Sequence, residues 1–309
     1  MNICFAPPHS PPLPALEFLR QQFPDLPASY LSQLLKRGKF RIGTIPLRRE
    51  TLLQPGDFIT LPGSHSFQQR VHTGAPAILH ESPMAMVVNK PALLTVHAGL
   101  GHQDDNLLRR MAATMQQRKA PYKLHAVHRL DRETSGALLL AKGKQAAGDF
   151  GRLLMNGDIQ KQYLALVCGN PGEKGLMDAP LKHRRKLRTA ATAFRTIARS
   201  HGYSLLQLEL YSGRTHQIRR HLAEAGTPLY GDSRYGDRVP GSKQFYLHCR
   251  SLSWPFSGSG TRQTITAPLP EPMLAKLYEL GFQHAAELPE LPLYARNFGE
   301  GLSIPRHTE

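Results

Sequence analysis

Cysteine is scarce: Cys4, Cys168 and Cys249 are the only three in 309 residues, and no two form a Cys-x-x-Cys pair. That excludes a disulfide scaffold and a cysteine-rich zinc site. No apolar run approaches the roughly 18 residues a bilayer-spanning helix needs, so no membrane association is expected. The start of the chain, Met1 to Pro14, has no basic opening and is broken by prolines. It does not read as a secretory signal, and a cytoplasmic protein is the expectation. Acids are also in short supply, 23 against 39 Lys and Arg, for a formal net charge of +16. This excess is beyond what solubility requires. It points to a polyanionic partner, because phosphate contacts supply much of nucleic-acid affinity through counterion release. What is present suits a folded chain: 40% hydrophobic residues with 20% charged are too apolar for disorder. At roughly 150 residues per domain the length suggests two domains.

Residues 1–63 form the first segment. Leu16, Leu19 and Phe23 repeat at helical spacing, as do Tyr30, Leu31, Leu34 and Leu35 after a break at Pro24 and Pro27. A strand-like Lys39-Phe40-Arg41-Ile42 follows, then a Pro55-Gly56-Asp57 turn into Phe58 to Leu61. Six basic residues and no acid lie between Ser29 and Arg49. Residues 64–74 are polar and read as a linker. Residues 75–282 form a larger segment with strand-like runs at Met84 to Val88, Ala137 to Ala141, Tyr163 to Cys168, Ala191 to Ala198 and Tyr203 to Tyr211. Helical spacing appears at Leu107, Met111 and Met115, at Phe150, Leu153 and Leu154, and at Ile218 and Leu222. Many strands with few helices and no βαβ alternation predict an α+β fold around a mixed or antiparallel sheet. Residues 283–309 lack periodicity and are expected to be a tail.

Three runs could carry chemistry. In His128 to Gly136, Asp131 is flanked by bases just before an apolar strand, where a loop can present it into a cleft. Alone, such a run is more commonly a surface ion-pair loop. Lys161 to Gly169 contains Tyr163, and Ser212 to Leu222 contains Arg214 and leads to Gly231-Asp232 and Tyr235-Gly236. Other features carry less. His216 and His221 are five apart and not at the i, i+4 spacing of helical ligands, so no metal site is expected. Thr215 is expected to cap a helix that Gly226 ends. Gly258-Ser259-Gly260 reads as a loop, and Trp254 and Phe256 as core.

Two resemblances follow from these residues. Leu34 to Ile42, with Leu53-Gln54-Pro55-Gly56-Asp57-Phe58-Ile59, is similar to the small α/β RNA-binding module named after small-subunit ribosomal protein S-four, with Gly43-Thr44 in place of the usual Asn-Gly. From Leu79 to Pro268 the chain resembles the RluA family of pseudouridine synthases. The matching runs are Asn89-Lys90-Pro91, His128-Arg129-Leu130-Asp131 with Thr134-Ser135-Gly136, Lys161-x-Tyr163-x-Ala165, and Gly213-Arg214-Thr215-His216-Gln217-Ile218-Arg219. Ser212 stands where Thr is commoner and Arg220 where a small apolar residue is usual.

The resemblance implies an RNA uridine isomerase that needs no cofactor and no metal. Asp131 is then the family's essential acid, attacking C1′ or removing a proton from C2′. Arg214 is expected to pair with Asp131 and keep it ionised. Tyr163 would stack on the flipped base with its hydroxyl near the C5 proton, and Arg129 would enter the RNA helix where the uridine has left. Lys36, Arg37, Lys39 and Arg41 would hold RNA through the N-terminal module, and Lys182 to Arg188 would form a second RNA-contacting strip. The expected partner is RNA, ribosomal rather than transfer RNA, bound by a monomer. Two other classes remain open: a non-catalytic RNA-binding protein on the same fold, and a nucleoside hydrolase. The latter needs a second carboxylate to activate water, and none adjoins these runs apart from Glu133.

Overall fold

The structure, a computed structural model, describes residues 3–5, 12–23, 26, 28–62, 75–98, 106–183, 186–236, 244–256 and 260–284. The expected linker, Gly258-Ser259 and all but the first two residues of the expected tail lie outside them. Two units divide the chain: Met1–Ala75 with Pro270–Glu279, and Pro76–Leu269 with Leu280–Glu309.

In the first unit, β1 (Ile3–Phe5) and β2 (Leu13–Pro14) precede α1 (Ala15–Gln22) and α2 (Ala28–Lys36). Then come β3 (Arg41–Ile42), β4 (Ile45–Pro46), β5 (Leu52–Leu53) and β6 (Phe58–Thr60). The helical spacing puts Leu16, Leu19, Leu31, Leu34 and Leu35 into one core with Phe40, Leu47 and Ile59. A four-stranded sheet runs β1-β6-β3-β4. Gly43-Thr44 closes the β3–β4 hairpin, with Ile42 opposite Ile45 and Gly43 at φ 56°. Glycine takes this left-handed conformation without the penalty a side chain brings, so the hairpin forms without Asn-Gly. Lys36, Arg37, Lys39, Arg41, Arg48 and Arg49 are all exposed. One late helix, Glu271–Glu279, groups with this unit through contact with β1, although sequence order alone assigned it to the 75–282 segment. Position along the chain does not fix which unit a helix groups with.

The second unit begins with β7 (Ile78–Glu81), β8 (Ala85–Lys90), α3 (Leu107–Gln117), β9 (Leu124–Ala126), β10 (Ser135–Lys142) and α4 (Gly143–Met155). It continues with β11 (Gln160–Cys168), β12 (Lys174–Met177), β13 (Leu181–His183), β14 (Lys186–Arg188), β15 (Thr192–Ser200) and β16 (Tyr203–Leu210). It ends with α5 (Gln217–Glu224), β17 (Leu247–Pro255) and β18 (Arg262–Thr266), so the late helix is α6. A ten-stranded mixed sheet runs β12-β15-β16-β11-β17-β10-β8-β7, with β18 on β17 and β9 on β10. The fold class is α+β. Strand β10 is buried along almost its whole length, which is why it reads as an unbroken apolar run. Leu206 and Leu208 enter the main core, while Gln207 and Glu209 lie buried on the other face, where burial pushes the Glu209 carboxyl up to about 7. Trp254 is core and packs edge-on to Phe150, but Phe256 is 53% exposed, contrary to the expectation for it.

The one parallel pairing among the described strands joins β10 to β17, with Gly136 opposite Cys249. A Cβ on Gly136 would lie 2.2 Å from the Cys249 carbonyl oxygen, and its φ is 110°. Gly136→Ala therefore combines a backbone clash with a disfavoured dihedral. It should destabilise the fold by about 3 kcal/mol, read as a lowered urea midpoint with an unchanged slope.

Candidate active site

The strand β10 fixes the loop before it. The Thr134 N–H donates to the Asp131 carbonyl at 3.1 Å, and the Leu139 N–H donates to His128 Nε2 at 3.2 Å. Burial, aided by the nearby Lys161 charge, pushes His128 down to about 3, so the ring is a neutral acceptor that anchors the loop. Below it lies Lys90, fully buried at the end of β8. Its Nζ donates to the carbonyls of Pro91 (2.9 Å), Leu94 (2.7 Å) and Arg132 (3.1 Å), tying the Asn-Lys-Pro turn to the residue after Asp131. Burial lowers Lys90 to about 7, while the charges of Glu133 and Asp131 oppose this.

Tyr163 comes from β11. The β11–β17 register shifts between Gln162 and Tyr163, so Gln162 faces Ser251 and Tyr163 faces Cys249, a bulge of the kind that re-aims a side chain. The ring is buried. Burial, with Cys249 and the Asp131 charge, raises the phenol well above its ordinary range, so it is protonated at neutral pH and in electrostatic reach of Asp131.

The partner of Asp131 differs from the expected one. Arg214 Nε donates to the Thr189 carbonyl at 3.0 Å, and among the described residues the ion pairs of Asp131 are with other side chains. Arg219, in the first turn of α5, brings its Nη1 to 3.6 Å from Asp131 Oδ2. The same guanidinium makes a fork to Asp232, Nε to Oδ2 at 2.7 Å and Nη2 to Oδ1 at 2.8 Å. Its flat face lies 4.3 Å from the Phe245 ring centroid and 5.0 Å from that of Tyr235. Asp232, 1% exposed, also accepts the N–H groups of Arg234 (3.0 Å) and Tyr235 (3.3 Å). One arginine thus serves two carboxylates, tightly bound to the structural one and looser on Asp131, whose lone pairs are left available. His216 faces the other oxygen, its Nε2 3.8 Å from Asp131 Oδ1.

The helix that carries Arg219 is not capped by Thr215. Its N-cap is His216, with φ 52° and ψ 30°, and the Arg214 N–H donates to the Gln217 side-chain oxygen at 3.0 Å. Ser212 also donates to Gln217, at 2.6 Å, so its hydroxyl does what a threonine would. Gly226, at φ 72°, follows the C-cap. His221 is spent within the fold, on Thr192 Oγ1 (2.9 Å) and the Ala179 carbonyl (3.0 Å). Arg129 is exposed beside Asp131. The sequence did contain a signal for Arg219. Ile218 and Leu222 must face inward, so the intervening Arg219 needed a buried partner, and Asp232 lies thirteen residues on.

The family model described as RNA pseudouridylate synthase matches residues 85–224, which contain Asp131, Tyr163 and Arg219. Ribosomal large subunit pseudouridine synthase C of Escherichia coli (strain K12) is 30% identical over 295 residues, covering 85% of this chain and 91% of that one. Synthase D of Xanthomonas campestris is 30% identical over 282 residues, covering 82% and 84%. Among solved structures, human RNA pseudouridylate synthase domain containing 4 superposes with a TM-score of 0.57 at 26% identity, over 70% of this chain and 97% of that one. An acid held between an arginine and a histidine beside a buried tyrosine, in a sequence this similar along most of its length, identifies the chain as a member of the RNA pseudouridine synthase family.

Proposed function

We propose that this enzyme isomerises uridines of large-subunit ribosomal RNA, acting as a cytoplasmic monomer with Asp131 as its catalytic carboxylate. The target rests on one observation: the relatives named for the large ribosomal subunit match it over more than four-fifths of its length. The reaction breaks the C1′–N1 bond, turns the uracil and joins C1′ to C5. The sugar becomes electron-poor near C1′, where a fixed carboxylate can attack or assist by removing the C2′ proton. Asp131 suits this, as its oxygens have partners among the described residues only at 3.6 and 3.8 Å. Tyr163 offers its ring to the flipped uracil and meets it as the protonated phenol. Arg129 fills the gap left in the RNA. Arg214 serves RNA binding indirectly: its bond to Thr189, with Arg220 Nη1 on the Lys182 carbonyl at 3.0 Å, fastens both ends of the β13–β14 hairpin. That hairpin exposes Lys186, Leu187 and Arg188.

Pseudouridine mapping of total RNA from cells with and without the gene tests the target. Loss of sites confined to large-subunit ribosomal RNA is expected, and loss confined to transfer RNA overturns it. The N-terminal unit, with its S-four-like hairpin, is proposed to hold the RNA backbone. Replacing Lys36, Arg37, Lys39 and Arg41 by Ala should weaken binding and lower the log–log salt slope by about 0.7 to 0.9 per lost phosphate contact. An unchanged slope in a folded variant removes this role.

A further inference from the structure

His216 sits in a backbone conformation that local structure alone would not choose. At φ 52° and ψ 30° it is left-handed and non-glycine, at the position where α5 begins, and its side chain makes no cap. Asn or Gly would adopt that conformation more readily and Asn would also cap. What the imidazole gains is its surroundings. Nδ1 is 3.0 Å from the Tyr235 hydroxyl, and the two rings meet edge to face at 5.7 Å and 76°. Nε2 points to Asp131 Oδ1 at 3.8 Å. Tyr235 is itself held from behind by its N–H on Asp232 and by the guanidinium groups of Arg219 and Arg234 over its ring.

We propose that His216 is a positioning residue for Asp131: Tyr235 fixes it as the Nε2–H tautomer, and that N–H orients the carboxylate's second oxygen electrostatically across 3.8 Å while Arg219 faces the first at 3.6 Å. The inference rests on Asp131 being the catalytic carboxylate. The tautomer follows from the partners. A Tyr235 hydroxyl donating to Nδ1 leaves the proton on Nε2, facing an anion; the reverse arrangement would set a lone pair against a carboxylate. Among the described residues, the charged groups facing the ring are Asp131, Asp232, Arg219 and Arg234, with the Tyr235 phenol. Burial is the largest influence and, with the two arginines, outweighs the two carboxylates, so His216 lies below the ordinary histidine range and is neutral at neutral pH. As the pH falls through that lowered value the ring becomes an imidazolium, pairs with Asp131 and draws its charge away from C1′.

The test is single-turnover rate and RNA affinity from pH 5 to 8. It compares the wild type with His216→Asn, which keeps the left-handed backbone, Tyr235→Phe, which keeps the ring stack, and Asp131→Asn. His216→Asn should bind RNA within about twofold of wild type, turn over at least about 10-fold more slowly at neutral pH, and lose less of its remaining rate on acidification. Tyr235→Phe should show a smaller loss of the same kind, and decides the matter should the Asn variant not fold. Wild-type rates in both variants, or a loss with an unchanged pH profile, overturn the proposal. An active Asp131→Asn overturns the reading of Asp131 itself, whereas an inactive one beside a wild-type-like His216→Asn removes only the role given to His216.

Discussion

Asp131→Asn should bind RNA as tightly as the parent enzyme and release no measurable tritium from RNA labelled at uridine C5. Joining C5 to the sugar expels the C5 hydrogen, so an isomerase yields tritiated water while chain length is unchanged and no uracil is freed. A nucleoside hydrolase would release labelled uracil, and a binding protein would release nothing. The amide preserves the shape of Asp131 and its approach to Arg219 Nη1 and His216 Nε2, at 3.6 and 3.8 Å in the parent. It cannot stabilise or attack an electron-poor C1′. Because the anion's nearest partners among the described residues stand beyond hydrogen-bonding distance, losing the charge breaks no tight bond there, and the fold should be unaffected. Turnover above about a tenth of the wild-type rate, a loss under about 1.4 kcal/mol, would sink the assignment.

The parts of this site that sequence made legible are those whose meaning is local. Asp131 sits in a loop whose register is set by the strand directly after it, and Tyr163 in a strand of unbroken apolar pattern. Strand β17 was missed because its second face carries His248, Ser251 and Ser253, which hydropathy does not mark as interior although all three are buried. They are satisfied there, His248 Nδ1 against Ser135 Oγ at 2.9 Å and Ser251 donating to Gln162 at 3.3 Å. Arg219 was passed over for Arg214 because both lie in the same basic run. What separates them is α5: it begins at Gln217, which leaves Arg214 in the preceding loop and turns Arg219 inward on the helix. Nor does sequence say that one guanidinium spans two acids a hundred residues apart.

That spanning arginine carries the second large effect. Arg219→Gln should cost both stability and activity, whereas Arg214→Gln should cost little stability and act on RNA affinity. Arg219 is 8% exposed in its side chain and Asp232 1%, so removing the guanidinium strands a buried carboxylate. Losing one member of such a pair costs about 3–5 kcal/mol. Arg219→Lys keeps a charge but not the fork, and should recover only part of this. The double variant Arg219→Gln with Asp232→Asn replaces the ion pair by two amides. It should fold better than Arg219→Gln alone and remain poorly active, because Asp131 still lacks its cation. Acid unfolding gives a further reading. Burial alone would raise Asp232, but the Arg219 hydrogen bonds and charge, with two backbone N–H groups, hold it below its ordinary value. A carboxyl lowered on folding adds stability above its unfolded pKa, about 3.9, and loses that contribution as pH falls through the lowered folded value. The double variant should therefore lose less stability than the wild type between pH 5 and pH 2. Equal losses in both, or an Arg219→Gln enzyme as stable and active as the parent, would show that this arginine holds neither carboxylate.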